Sequence, residues 1–428
     1  MGIASQPPTV FPEPAPQEGR RAVPQLMMIG TSHKSADIAF RESLVRAVGA
    51  DHMLGSLGAA KETAVLSTCN RFELYVASSS PEETSASFFR SVADATGVQG
   101  ASHAFYQARG ADAARHLFRV ATGLESVVLG EPQILAQVRA AGIRSRRDGT
   151  AGAILAPLFD RAYRVGSRVR TDYGLEGEEA SLSDLAVDAV RRFSPGRHRV
   201  MLIGTGKMIR LAARKLSRGA DRIFVVTRRK TPPKGLDGAV LVPYAAMRKT
   251  AAGCDVIISA TSADRPVLKA GDLRGRRRKL VIDLGMPRNV APETRGLANV
   301  RLVDLDDLAE IAKARKVPAV LKRAENATAR EADGFYDWLV QTRLSSALAD
   351  LYSWADAVRA EELRRALGKL ASDSAKDRRV LDAMSRRIVS KLLARPTRFA
   401  RKRHEALSEE EKLELLRSVF GADPSDGR

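Results

Sequence analysis

Three places in this chain carry residue types that do chemistry. The first is VLSTCNRFELY, residues 65–75, where Cys69 stands between Thr68 and Asn70 and is followed by Arg71. A lone cysteine is ordinarily a small core hydrophobe. Here the flanks are small and polar, and an adjacent guanidinium favours the thiolate, the nucleophilic form. The other cysteine, Cys254, leads into the apolar run Asp255–Ile258 and reads as structural. The second place is VMLIGTGKMIRLAARKL, where Gly204 and Gly206 follow an apolar strand and precede an amphipathic helix. That context lets backbone approach a dinucleotide pyrophosphate at a helix N-terminus. The loop to watch runs Gly204, Thr205, Gly206, Lys207, Met208, Ile209. The third glycine of the fingerprint is absent, so the helix must pack around Ile209. The third place ends the next strand, where an acid would bind the ribose of NAD. Thr227, Arg228 and Arg229 stand there instead, a hydroxyl and two cations suited to a 2′-phosphate, which favours NADPH. Further on, ISATSA (258–263) ends a strand and would flank the nicotinamide half. A thiol beside a hydride donor suggests thioester chemistry: the thiolate takes an activated acyl group, and hydride releases an aldehyde.

The elements that must hold these residues follow from periodicity. Met27–Gly30, Ala64–Ser67 and Phe72–Ala77 read as strands, and helical spacing runs from Asp112 through HLFRVATGLES and again from Ile154 to Arg170. A mixed α+β domain is expected over 25–175. From Ser183 a helix leads to strands alternating with helices: Val200–Ile203, Ile223–Val226, Val240–Val242, Val256–Ile258, Leu280–Asp283 and Val300–Val303. This is the pattern of a parallel Rossmann-like sheet, expected over 176–308. Beyond Ala309 the chain is Ala-, Leu-, Arg- and Glu-rich with few breakers until Pro396, which predicts a helical domain over 309–428 with a dimerisation or scaffold role. Residues 1–24, rich in proline, are expected to form a disordered tail.

A net charge of +20 and a pI near 10.3 favour a polyanionic partner. Aromatic residues make up only 5%, so shape and phosphate contacts, not base stacking, would have to carry nucleic-acid recognition. No apolar run reaches membrane-spanning length. The opening residues lack a long apolar core and carry two glutamates, against a secretory or organellar leader. With two distant cysteines and scattered histidines, a cytoplasmic protein without a metal site is expected.

Several segments resemble the successive motifs of the glutamyl-tRNA reductase family: IGTSHKSADIAFRESL, VLSTCNRFELY, HLFRVATGLESVVLGEPQILAQVRAA, LIGTGKM, VIDLGMPRNV and KLLARPT. They occur in the family's order and cover nearly the whole chain from Gln25. The resemblance implies NADPH-dependent reduction of glutamyl-tRNA to glutamate-1-semialdehyde, the committing step of five-carbon tetrapyrrole synthesis. It implies a V-shaped homodimer with catalytic, NADPH-binding and helical dimerisation domains. Glutamate-1-semialdehyde aminotransferase is a possible partner. By the same resemblance Cys69 is the nucleophile. Thr68, Asn70, Arg71, Ser126, Glu131, Pro132, Gln133 and Gln137 bind substrate, with Arg71 suited to a carboxylate and Glu131 to an α-ammonium. His116 matches a histidine important for activity, the plainer reading being a helix-surface residue with a capping or packing role. The basic residues Arg395, Arg398, Arg401, Lys402 and Arg403, and the run from Arg274 to Lys279, suit RNA or a solvated face equally. Three features depart from the family: Gln107 and Ala108 replace a histidine after Tyr106, the cofactor turn is Thr-Arg-Arg, and the joint Thr171–Val187 is unusually acidic. Two rival readings remain, a shikimate-dehydrogenase-like oxidoreductase acting on a small molecule and a catalytically silent tRNA-binding paralogue. The first has no use for Cys69, and the second predicts binding without turnover.

Overall fold

The computed structural model describes residues 24–47, 57, 60–98, 100–174, 182–193, 196, 198–228, 236, 238–313, 319–369, 374–401, 411–412 and 415. The expected tail, Arg229, Lys402, Arg403 and most of the acidic joint lie outside them. The described residues form two compact units, Gln25–Ser353 and the part from Trp354 onward.

Alternation along β1 (Gln25–Ser32) sends Leu26 and Met28 into one apolar cluster and Met27 and Ile29 into another, as a period of two requires. There follow α1 (Ile38–Ala47), β2 (Ala60–Ser67), β3 (Arg71–Ser78), α2 (Pro81–Thr96), β4 (Tyr106–Arg109), α3 (Gly110–Thr122), α4 (Pro132–Arg147) and α5 (Leu155–Asp172). The strands make an antiparallel sheet in the order β2-β3-β1-β4. Phe118, Val138 and Phe159 from α3, α4 and α5 cover one face; Leu44, Phe88 and Val92 from α1 and α2 cover the other. The helical spacing read through GLES stops at Thr122. Gly123 takes φ 82°, and a Cβ there would meet the Cα of Gly130 at 2.9 Å, so the chain turns into a loop instead.

The second sheet is wholly parallel. After α6 (Leu182–Phe193) come β5 (His198–Ile203), α7 (Lys207–Leu216), β6 (Ala220–Val226), β7 (Val240–Val242), α8 (Met247–Ala252), β8 (Val256–Ser259), α9 (Ala270–Leu273), β9 (Lys279–Asp283), β10 (Val300–Val303) and α10 (Leu305–Lys313). The strand order is β10-β9-β8-β5-β6-β7, and it reverses between β5 and β8, which opens a crevice at the carboxyl ends of those strands. Helices on both faces bury both sides of the central strands, which is why they read as continuous apolar runs. One basic residue departs from expectation. Lys279 is buried, its Nζ donating to the carbonyls of Ala251 (2.9 Å), Ala252 (3.0 Å) and Cys254 (2.8 Å), so it is no part of a basic surface. Three acceptors match the three donors of an ammonium.

The remaining helices are α11 (Ala319–Leu367) and α12 (Ala375–Arg401). Through Ser353, α11 belongs to the first unit, where Ala324, Ala332, Phe335 and Leu339 enter the core of the antiparallel domain. In the second unit Arg359 donates to Asp356 (2.6 Å) and to Asp382 (2.7 Å), tying the two helices together. The chain breaks at Gly368, whose amide closes on the Arg364 carbonyl, and Pro396 lies inside α12. Proline removes one amide donor and can kink a helix without ending it. Among the described residues no helix is long and apolar enough to cross a membrane.

Candidate active site

Only Thr68, Cys69 and Asn70 separate β2 from β3, so the thiol stands at the tip of a hairpin. The Thr68 Oγ1 accepts from the amides of Asn70 and Arg71, each at 3.2 Å, and the Thr68 amide donates to the Arg71 carbonyl at 2.9 Å. These bonds explain Thr68: its hydroxyl folds the turn that presents the thiol. From the side, the His33 amide reaches the Asn70 carbonyl (3.0 Å), and Arg41 Nη1 reaches the Cys69 carbonyl (3.0 Å). Cys69 is half-buried and packs, as Met208 and Met286 do, against an apolar cluster that joins Ile38, Val127 and Val128 to Ile209 and Leu284 of the parallel-sheet domain. Burial pushes its thiol up to about 12, the Glu131 carboxylate adds to the rise, and Arg41 and Arg71 oppose it. The resting thiol is therefore protonated. The expectation that Arg71 activates it is corrected in two respects: Arg41 acts on it more strongly, and burial outweighs both cations.

Alternation on β3 puts Arg71, Glu73 and Tyr75 on one face. Glu73 is fully buried and accepts from Arg71 Nη1 (2.7 Å), the Tyr75 hydroxyl (2.8 Å) and the Tyr106 hydroxyl (2.8 Å). The His116 ring joins them, its Nε2 2.8 Å from Glu73 Oε1. Burial alone would raise this carboxyl, but His116 and Arg71 outweigh it and hold Glu73 well below the usual carboxylate range. Arg71 also donates through Nη2 to the Glu125 carbonyl. Its fork thus already holds a carboxylate of this chain, and His116 belongs to a buried cluster instead of lying free on a helix surface. Gln107, one of the departures, is exposed and accepts from Ser85 at 3.1 Å, away from this cluster.

The loop after Gly123 carries Ser126, buried, with its amide on the Gly123 carbonyl at 3.3 Å. Glu131, also buried, directly precedes α4, and Arg170 Nη1 holds its carbonyl at 3.1 Å. Burial pushes the Glu131 carboxyl up to about 7 against the pull of Arg71, Arg170 and Lys207. Pro132 opens α4, its side chain lying outside the described ones. Gln133 donates to the Met208 sulfur at 3.4 Å, and Gln137 lies half-buried one turn later. The loop after Gly123, the thiol and the Gly204–Ile209 turn lie within one compact unit.

At the crevice Gly204 has φ 116°, and a Cβ there would meet the Ala260 carbonyl oxygen at 2.4 Å, so glycine alone lets β5 turn beside β8. Thr205 is half-buried, Lys207 is exposed, and a Cβ on Gly206 would meet nothing within 4 Å. This open turn before a helix fits a pyrophosphate. Ile209 is fully buried in the core and fills the space of the missing third glycine. Thr227 is buried, and its amide donates to the Val242 carbonyl at 3.1 Å. Arg228 lies over the Tyr244 ring, 5.5 Å from the centroid, and both line a cavity of about 500 Å³ with Thr261, Ser262 and Arg265. Sequence reasoning missed Glu73, Tyr106, Arg41, Tyr244 and Arg265. Only Glu73 had a local signal, its two-residue spacing from Arg71.

Comparison with known proteins agrees with this geometry. Residues 29–173 match the model for the glutamyl-tRNA reductase N-terminal domain, 185–311 that for shikimate/quinate 5-dehydrogenase, and 323–422 that for the glutamyl-tRNA reductase dimerisation domain. A glutamyl-tRNA reductase of Syntrophotalea carbinolica is 32% identical, the alignment covering 93% of this chain and 94% of the relative. The chain belongs to the glutamyl-tRNA reductase family. A second member, from Pelotomaculum thermopropionicum, is 33% identical with the same coverage. Among solved structures, the glutamyl-tRNA reductase of Methanopyrus kandleri is similar over 94% of this chain and 99% of its own, with 26% identity and a TM-score of 0.52. The family members share all three segments, so the shikimate-dehydrogenase-like segment is one part of a larger enzyme, and the small-molecule reading is not favoured.

Proposed function

We propose that this chain reduces glutamyl-tRNA to glutamate-1-semialdehyde with NADPH, the first step of tetrapyrrole synthesis. The observation that carries the reading is the hairpin-tip thiol of Cys69, set against the apolar cluster that joins its own domain to the one forming the dinucleotide crevice. Cys69 Sγ attacks the glutamyl ester carbonyl; the S–C bond forms, the C–O bond to the ribose breaks, and the thiol proton leaves on the ribose oxygen. Thr68, Asn70, Arg71, Ser126, Glu131, Pro132, Gln133 and Gln137 surround the glutamyl group. The α-ammonium lies against Glu131 and offsets the carboxylate charge that adds to the effect of burial on the thiol. His116 acts from its place on Glu73. Residues Gly204–Ile209 hold the pyrophosphate, and Thr227, Arg228 and Arg229 receive the 2′-phosphate, joined by Arg265. NADPH bound there would supply a hydride to the thioester carbonyl carbon; the C–S bond would break, returning the Cys69 thiolate and freeing the aldehyde.

The exposed Val380, Met384, Ile388 and Leu392 recur every four residues on α12. An apolar stripe of this kind suits a second copy of the chain, and with the dimerisation-domain match it supports a homodimer. The net charge of +20 suits a tRNA substrate. A nucleophile kept as a free thiol suits the reducing cytoplasm. The aldehyde product is reactive, which favours handover to glutamate-1-semialdehyde aminotransferase.

The test is incubation with glutamyl-tRNA and NADPH, which should yield the semialdehyde, whereas uncharged tRNA with free glutamate should not. Arg228→Ala should raise the KM for NADPH by roughly 30-fold, the loss of about 2 kcal/mol for a charge-assisted contact, while the KM for NADH changes little. Equal effects on both cofactors would remove Arg228 from phosphate recognition.

A further inference from the structure

Two neighbouring residues of α1 reach across to a loop and to the start of a helix in the parallel-sheet domain. Glu42, 4% exposed, accepts at Oε2 from Arg288 Nε (2.9 Å) and Nη2 (2.7 Å), and at Oε1 from the Arg288 amide. Arg41, 2% exposed, pairs with Asp306 near the start of α10 and donates through its other arm to the Cys69 carbonyl. Asp306 Oδ2 also accepts the Ile38 amide at 2.8 Å, so the parallel-sheet domain closes the N-terminus of α1.

The Arg288 loop is itself tied to the crevice. The Asp283 carboxylate gathers the amides of Gly285 (2.9 Å), Asn289 (2.8 Å) and Val290 (2.8 Å). Asn289 Oδ1 then accepts from the Thr261 amide (2.6 Å) and the Ser259 hydroxyl (3.1 Å) at the end of β8. Hydrogen bonds therefore run, through the adjacent residues 289–288 and 42–41, from the strand end at the dinucleotide crevice to the carbonyl of the nucleophile. Both ion pairs join segments far apart in the chain, 246 and 265 residues. In each pair the α1 residue is buried and its partner partly exposed; such a pair adds little net stability and can fix the register of the groups it joins.

We propose that Glu42–Arg288 and Arg41–Asp306 form a clamp that fixes the Cys69 loop against the crevice, making Glu42, Arg288 and Asp306 positioning residues for the reduction half of the reaction. The clamp rests on the thioester reading above. Acylation of Cys69 needs only groups of the antiparallel domain, whereas reduction needs the thioester and the crevice aligned. A displacement of about 1 Å between reacting groups costs on the order of 10²-fold in rate.

The two halves are separable in the full-length protein with glutamate-labelled glutamyl-tRNA. Acylation is followed without NADPH; NADPH is then added to the preformed thioester, and semialdehyde is counted against free glutamate released by water. Glu42→Gln, Arg288→Met and Asp306→Asn should acylate at near the wild-type rate, reduce about 100-fold more slowly, and shift product toward glutamate. The exchanged pair E42R with R288E should recover reduction. Wild-type reduction rates in the single variants, or acylation and reduction falling together, would overturn the clamp. Failure of the wild-type protein to acylate Cys69 at all would overturn the thioester reading and the clamp with it.

Discussion

Cys69→Ser should lose semialdehyde formation by roughly 10³-fold or more, because a hydroxyl is a far weaker nucleophile and an oxygen ester a poorer acyl donor to hydride. That loss corresponds to at least about 4 kcal/mol of barrier. Serine is slightly smaller than cysteine and keeps the half-buried tip in place, since the turn is folded by Thr68 Oγ1 and the carbonyl is held by Arg41. NADPH binding should therefore persist, read as the change in nicotinamide fluorescence on titration. An active serine variant would return the chain to the class of thiol-independent dehydrogenases. Cys254→Ser is the control. It is fully buried in the parallel-sheet core, so it should affect stability more than turnover.

Glu73→Gln should be the most damaging conservative change to the fold of the antiparallel domain. The substitution keeps shape but leaves the Arg71 guanidinium buried without its carboxylate, and the NH2 that replaces one oxygen cannot accept from whichever of Arg71, His116, Tyr75 and Tyr106 faces it. Removing one partner of a buried pair costs about 3–5 kcal/mol, read as a lower urea midpoint at unchanged slope. Since Glu73 is held below the usual carboxylate range, its contribution is present at neutral pH. It is lost only as pH falls through that depressed value. Adding Arg71→Met to Glu73→Gln should recover part of the loss, the signature of a coupled pair. A cost under about 1 kcal/mol, the range of an exposed pair, would show that the cluster does not hold this domain together.

What could be read in advance follows from how local each feature is. The central parallel strands announced themselves because both faces are buried, and Gly204 with Gly206 because a tight strand-to-helix turn leaves little choice of residue. Cys69 stood out for its polar flanks, and one of them, Thr68, proved to fold the turn. Glu73 lay inside the same quoted stretch and went unread. Its partners Tyr106 and His116 arrive from 33 and 43 residues away, and no local spacing encodes that convergence. The inward partners of Arg71, Glu73 and the Glu125 carbonyl, were not announced by the residues beside it. Lys279 looked like the end of a basic run until three carbonyls claimed it. Arg41, Glu42, Arg288 and Asp306 take their meaning from a seam between two domains, which exists only once both are folded. The end of α3 at Gly123 was likewise concealed, because apolar spacing continues past the glycine that stops the helix.

The most direct measurement is the covalent state of the thiol during turnover. Wild-type protein mixed with glutamyl-tRNA in the absence of NADPH, quenched in acid and digested, should yield the peptide bearing Cys69 with one glutamyl group attached, and that mass should vanish when NADPH is supplied. Semialdehyde production with Cys69 never acylated, or with the glutamyl group on another residue, would contradict the account.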